Sequence, residues 1–141
     1  MILLDTDHLT LLKYPDSTRC SALTARLTAS PDQQIGTTII SAEEQLRGWL
    51  AVIARYRDVQ RQVHPYEELR AHLDFYSRWT LLPFDALSAS QFDRLRQQGM
   101  RIGSMDLKIA SVALIHQALL LSANLSDFRR VPDLRVENWL D

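Results

Sequence analysis

The sequence predicts an α/β fold, with a central, largely parallel sheet of four to five strands flanked by helices and carrying a helical hairpin. Three observations predict it. Short runs of apolar or β-branched residues recur along the chain, and stretches of helical period separate them. Two helical stretches, residues 42 to about 63 and 66–79, follow one another with no strand between them.

The elements follow in order. Ile2-Leu3-Leu4 is all apolar and ends in Asp5, as expected of a strand buried on both faces. Residues 18–29 carry Leu23 and Leu27 at helical spacing until Pro31-Asp32 breaks the pattern. Residues 35–40 are rich in β-branched side chains and predict a second strand, after which Ser41 opens a helix. That helix has an apolar stripe of Leu46, Trp49, Leu50, Ile53 and Tyr56, with His64-Pro65 marking its end. Leu69, Leu73 and Tyr76 continue the helical period in the next stretch. Residues 80–84 predict a third strand, kept short by Pro83, which lacks a ladder donor. A helix over 88–98 begins near Ser88 and ends at Gly99, where a left-handed residue is commonly needed. Gly103-Ser104 starts another over 105–117, then 119–123 form a fourth strand and 134–136 a possible fifth.

With 46% hydrophobic and 23% charged residues, the 141-residue chain has the profile of one globular domain, expected to span residues 1–141. The single Cys20 cannot form an internal disulfide, so a reducing, cytoplasmic setting is expected. The longest weakly polar stretch, residues 109–123, is interrupted by His116 and Gln117 and falls short of the roughly 20 residues that span a bilayer, so no membrane association is expected. A net charge of −1 gives no long-range positive field to announce a nucleic-acid binder. Only Lys13 and Lys108 among the 16 basic residues are lysine; the rest are arginine, whose planar fork suits phosphate. His8, His64, His72 and His116 show no paired ligand spacing, which disfavours zinc, and no glycine-rich loop calls for a nucleotide. Trp49, Trp79 and Trp139 are expected in the core.

In open parallel sheets ligands sit beyond the carboxyl ends of the strands. Asp5 and Asp127 follow the first and fourth strands, Glu44 lies one turn into the helix after the second, and Asp106 lies in the first turn of the helix at Ser104. Four carboxylates from distant parts of the chain would converge on one edge, raising one another's pKa unless a cation intervened. Hard oxygen ligands favour magnesium or manganese, whose natural use here is phosphodiester hydrolysis. Taken singly, three of the acids have structural alternatives. Ser41-Ala-Glu-Glu44 matches a capping box, Asp106 would serve the helix dipole, and Asp127 would serve a turn. Asp5, directly after a buried strand, has the weakest structural excuse.

Leu4-Asp5-Thr6-Asp7 resembles the opening of PIN domains, and Glu44-Gln-Leu-Arg-Gly48 resembles their Glu-Leu-x-x-Gly helix. Residues 102–110, around Asp106, look like the segment that supplies their third acid. Residues 121–132, with Asn124 and Asp127-Phe128, look like the ending typical of VapC-type toxins of type II toxin–antitoxin systems. The four motifs stand in family order from the first residues to the last. The resemblance implies a Mg2+- or Mn2+-dependent endoribonuclease with Asp5, Glu44, Asp106 and Asp127 as its catalytic and metal-binding acids. It further implies that Thr6, Ser122 and Asn124 orient the acids or the ion's waters. RNA as substrate, a cognate antitoxin and a homodimer are also implied. Lys108, Arg129 and Arg130 flank the acids and are candidates for the RNA backbone, with solvated surface as their alternative. The chain departs from the pattern at Asp7, where asparagine is frequent, and at Gln45, which leaves Glu43 as a rival to Glu44. Two other functions compete: a catalytically silent PIN-like module that binds RNA or protein, and a phosphoacceptor domain of the response-regulator type. The first would lack acids; the second would carry a lysine after the last strand, where this chain has Asn124 and Asp127.

Overall fold

Ile2–Leu4 forms β1, the centre of the sheet, and all three of its side chains are buried. The computed structural model, which describes residues 1–140, adds β2 (Ile35–Thr38), β3 (Leu81–Leu82), β4 (Leu119–Leu121) and β5 (Arg135–Glu137) in the order β3-β2-β1-β4-β5. Every pairing is parallel, with Ile2 opposite both Ile35 and Leu119. Because side chains alternate across a strand, Leu3 faces one layer while Ile2 and Leu4 face the other. Leu3 joins Leu120, Phe128 and the buried faces of α5 (Ala86–Gln97) and α6 (Ser104–Ile115). Ile2, Leu4 and Leu121 join Leu9 of α1 (Thr6–Leu11), Leu23 and Leu27 of α2 (Thr18–Ala29), and Tyr76. Tyr76 belongs to α4 (Val63–Ser77), which packs on α3 (Ile39–Arg55) as the second arm of the helical hairpin. Trp49 of α3, half-buried, donates its indole N–H to His72 Nε2 of α4 at 3.3 Å, fastening the two arms. No helix among the described residues is long and apolar enough to cross a membrane.

Several boundaries differ from the sequence expectation, each for a local reason. The second strand stops at Thr38, whose hydroxyl accepts the Ser41 N–H at 3.1 Å and caps α3, so the helix starts at Ile39 and not at Ser41. The capping box at Ser41 to Glu44 therefore does not exist. The hairpin turns at residues 56–62, through a 3-10 turn at Val59–Gln62, and not at His64-Pro65. Pro65 sits in the first turn of α4, where a missing N–H costs no helical bond. Asp85, rather than Ser88, caps α5, accepting both the N–H and the hydroxyl of Ser88. Gly99 has φ +83°, the left-handed conformation expected of it. Two short helices were not foreseen: α1, and α7 (Leu125–Phe128).

Candidate active site

The sheet reverses its strand order at β1, so the carboxyl ends of β1 and β4 open a crevice, and Asp5 lies at its floor. Asp5 N–H still donates to Leu121 O at 2.9 Å, continuing the ladder. The side chain is 7% exposed, with Oδ1 accepting the Thr6 N–H and Oδ2 accepting the Ser122 hydroxyl, each at 2.8 Å. Contrary to the sequence argument, Asp5 does have structural work: it caps α1. Burial, aided by the charges of Asp7 and Asp106, nonetheless pushes its carboxyl up to about 6 against the Ser122 and Thr6 bonds.

Glu44 points from α3 toward the same crevice. Its carboxyl is pushed up to about 7, first by burial and then by Asp5, Asp106 and Glu43. Thr6 Oγ1 is buried without a hydrogen-bond partner and lies near enough to Glu44 to favour its charged form. Glu43, the rival, is ion-paired with Arg47 at 2.7 Å one turn along the helix.

Asp106 occupies the first turn of α6, and Asp127 lies in α7. Asn124 joins them, its Nδ2 donating to Asp106 Oδ2 at 3.0 Å and to Asp127 Oδ2 at 3.2 Å. The Asp106 carboxyl is raised by burial and by Asp127, with Asn124 opposing. Asp5, Glu44 and Asp106 are thus within mutual electrostatic reach, and Asp127 reaches them through Asp106. Among the described residues, no three acidic, histidine or cysteine side chains already form a cage for an ion.

Of the basic candidates, exposed Arg130 approaches Asp127 at 4.0 Å, and Lys108 Nζ stands 5.9 Å from the centre of the Phe84 ring. Arg129 is exposed beside them. Two neighbours of the acids were missed as a pair, Asp7 and His8. Asp7 Oδ2 accepts the Ala123 N–H at 2.9 Å and Oδ1 accepts His8 Nδ1 at 2.6 Å. The available signal was Asp7 itself, standing where asparagine is frequent, but nothing in the sequence shows that His8 turns inward.

A parallel sheet with reversed order at β1 and acids gathered at that reversal is the arrangement of a PIN-type α/β fold. No protein-family profile matches the chain. Ribonuclease VapC2 of Haemophilus influenzae is 33% identical over 95 residues, 64% of this chain and 72% of that protein. Ribonuclease VapC2 of Rickettsia felis is 38% identical over 78 residues, 52% of this chain and 58% of the relative. Among solved structures, VapBC2 of Rickettsia felis, bound to a DNA fragment from its promoter, superposes with a TM-score of 0.69 at 26% identity, covering 99% of both chains. VapBC-1 from nontypeable Haemophilus influenzae gives 0.74 at 23% identity over 100% of both, a likeness of fold. The chain belongs to the VapC ribonuclease family, the PIN-domain toxins of toxin–antitoxin systems.

Proposed function

We propose that the chain is a magnesium- or manganese-dependent endoribonuclease that hydrolyses RNA phosphodiester bonds, with Asp5, Glu44, Asp106 and Asp127 as its catalytic and ion-binding acids. The observation that carries this is electrostatic. Asp5, Glu44 and Asp106 stand at one crevice, each with its carboxyl raised by burial and by neighbouring carboxylates, a charge arrangement that a divalent cation relieves. The donors are all hard oxygens, which fits an ion that keeps several waters and takes only one or two carboxylates directly. When bound, such an ion supplies charge neutralisation at the phosphodiester and a more acidic water.

The chain's own residues do the rest. Ser122 and the Thr6 amide fix the Asp5 rotamer, and Asn124 keeps Asp106 and Asp127 at a set separation. Glu44, half-buried and within electrostatic reach of Asp5 and Asp106, would hold the ion or orient its attacking water through its Oε atoms. Arg129, Arg130 and Lys108 are candidates to meet the RNA backbone beside the acids.

A cognate antitoxin is the expected protein partner, since the similar solved structures are of VapBC assemblies. A homodimer is proposed from the apolar side chains that the hairpin leaves exposed, Val59, Val63 and Tyr66 at 68%, 50% and 54%. A silent binding module has no use for four acids held in this way. Incubating the purified protein with labelled RNA, with and without manganese, tests the function. Ion-dependent cleavage supports it; intact RNA under every condition removes it.

A further inference from the structure

The loop after β4, residues 122–124, supplies both the hydroxyl that holds Asp5 and the amide that holds Asp106 and Asp127. Its three successive backbone N–H groups are each tied: Ser122 to Glu137 O at 3.0 Å, Ala123 to Asp7 Oδ2 at 2.9 Å, and Asn124 to Ser122 Oγ at 3.0 Å. Only the middle tie comes from a side chain of another element. The remaining oxygen of Asp7 accepts from His8 twice, from the backbone N–H at 2.7 Å and from Nδ1 at 2.6 Å. His8 is 0% exposed, and its Nε2 accepts the Trp139 N–H at 3.0 Å, which fixes the ring hydrogen on Nδ1. Trp139 is itself held, its indole N–H donating to Glu137 Oε2 at 2.6 Å and its ring lying 4.2 Å from the Arg26 guanidinium carbon.

Both Asp7 oxygens are therefore committed to N–H donors, and joining the ion-binding acids would require giving one up. Donors converge on both oxygens, so an asparagine, with one acceptor oxygen and one donor amide, would set N–H against N–H on one side. This chain's aspartate at the position where asparagine is frequent is matched to the inward-facing histidine that follows it.

We propose that Asp7 and His8 are positioning residues of the nuclease: through the Ala123 amide they set the loop that aims Ser122 at Asp5 and Asn124 at Asp106 and Asp127, with Trp139 locking the His8 tautomer. The proposal rests on the ribonuclease function proposed above. A tie that merely held the chain together would affect stability; a positioning tie affects turnover in proportion to the loop's placement.

Three substitutions separate the two. His8→Leu keeps apolar volume but no donor, His8→Asn offers an amide N–H near the place of Nδ1, and Asp7→Asn is isosteric. Cleavage of a quenched-fluorophore RNA oligonucleotide with manganese gives kcat and KM, thermal melts give stability, and the Ala123 amide resonance in ion-free protein reports the loop. His8→Leu and Asp7→Asn are expected to lower kcat on the order of ten- to a hundred-fold with KM nearly unchanged. Both should also shift the Ala123 resonance upfield. His8→Asn should restore most of kcat and the resonance, even with a lowered melting temperature. The proposal is overturned if kcat follows melting temperature irrespective of the donor, or if the Ala123 resonance stays put in His8→Leu. Should His8→Leu not fold, His8→Phe, which also lacks the donor, makes the same comparison and keeps the Asp7 charge that acts on Asp5. If the unmodified protein cuts no RNA, the ribonuclease function fails, while the Ala123 resonance still decides whether the two residues set the loop.

Discussion

Asp106 is the acid whose replacement best separates catalysis from folding. It sits in the first turn of α6, where a helix dipole alone would make its loss cost a few tenths to about 1 kcal/mol. Its carboxyl also repels Asp127, and its one side-chain bond, from Asn124, can be kept by an amide oxygen. Asp106→Asn is therefore expected to abolish cleavage and leave the ion-free protein as stable as before, or more so, with magnesium or manganese raising its melting temperature less than that of the unmodified protein. Thermal melts beside a cleavage assay check this; a destabilised, fully active variant would sink the site. Burial of Asp5 and Glu44, reinforced by neighbouring carboxylates, sets a pH dependence. Asp5 titrates at about 6 instead of 3.8 and Glu44 at about 7 instead of 4.5, so between those limits the folded state binds protons that the unfolded chain has lost. Their contribution to stability is full below about pH 4 and is lost as the pH rises through about 6 and 7. Melts without divalent ions should fall from pH 5 to pH 8, and Glu44→Gln should flatten part of that slope. The four acids were legible as candidates from their places at strand ends and in first helical turns together with the motif order, whereas the cap that Asp5 gives α1 was not. The identity of Glu44 over Glu43 was not, because it depends on Glu43 turning to Arg47.

Gly36 of β2 leaves no room for a side chain: a Cβ there would lie 2.7 Å from Thr80 O, the acceptor of the Thr37 N–H. Gly36→Ala should cost about 1–3 kcal/mol, read as a lowered denaturation midpoint, because backbone rather than a flexible side chain must give way. At the other end of the hairpin, the apolar side chains of the 3-10 turn and the start of α4 lead to a different expectation. Val59→Lys with Val63→Lys should convert a dimer to a monomer in sedimentation at micromolar protein, and a native protein that sediments only as monomer would remove the dimer proposal. The parallel sheet was legible from short apolar runs alternating with helical stretches, and the structure pairs two of those runs, residues 2–4 and 119–121, side by side. Helix starts were less so. Thr38 and Asp85 cap helices that the sequence seemed to begin at Ser41 and Ser88, because in each case a serine three residues on is the capped donor and not the cap. α1 and α7, six and four residues long, are too short for an apolar stripe to repeat, so no pattern announces them; each is held by neighbours distant in sequence.

Across the whole molecule, charge is nearly balanced, so any attraction for RNA has to be local. Neutralising Arg129, Arg130 and Lys108 together should weaken RNA binding and flatten its dependence on salt without altering ion affinity. An unchanged salt slope would return the three to the solvated surface. The sheet order has a further consequence, in time. β1 is made well before β4, one of its two partners, and the Asp5–Ser122 bond closes 117 residues of chain. Asp7 waits in the same way for Ala123, and His8 for Trp139. Asp5 and Glu44 thus have no complete crevice to hold them until β4 has been made, and such long-range parallel pairing is slow to form. The proposed centre assembles only once β4 and the loop behind it have been made, so a chain cut short before residue 119 carries Asp5, Glu44 and Asp106 but neither the Ser122 hydroxyl nor Asp127, and is expected not to cut RNA.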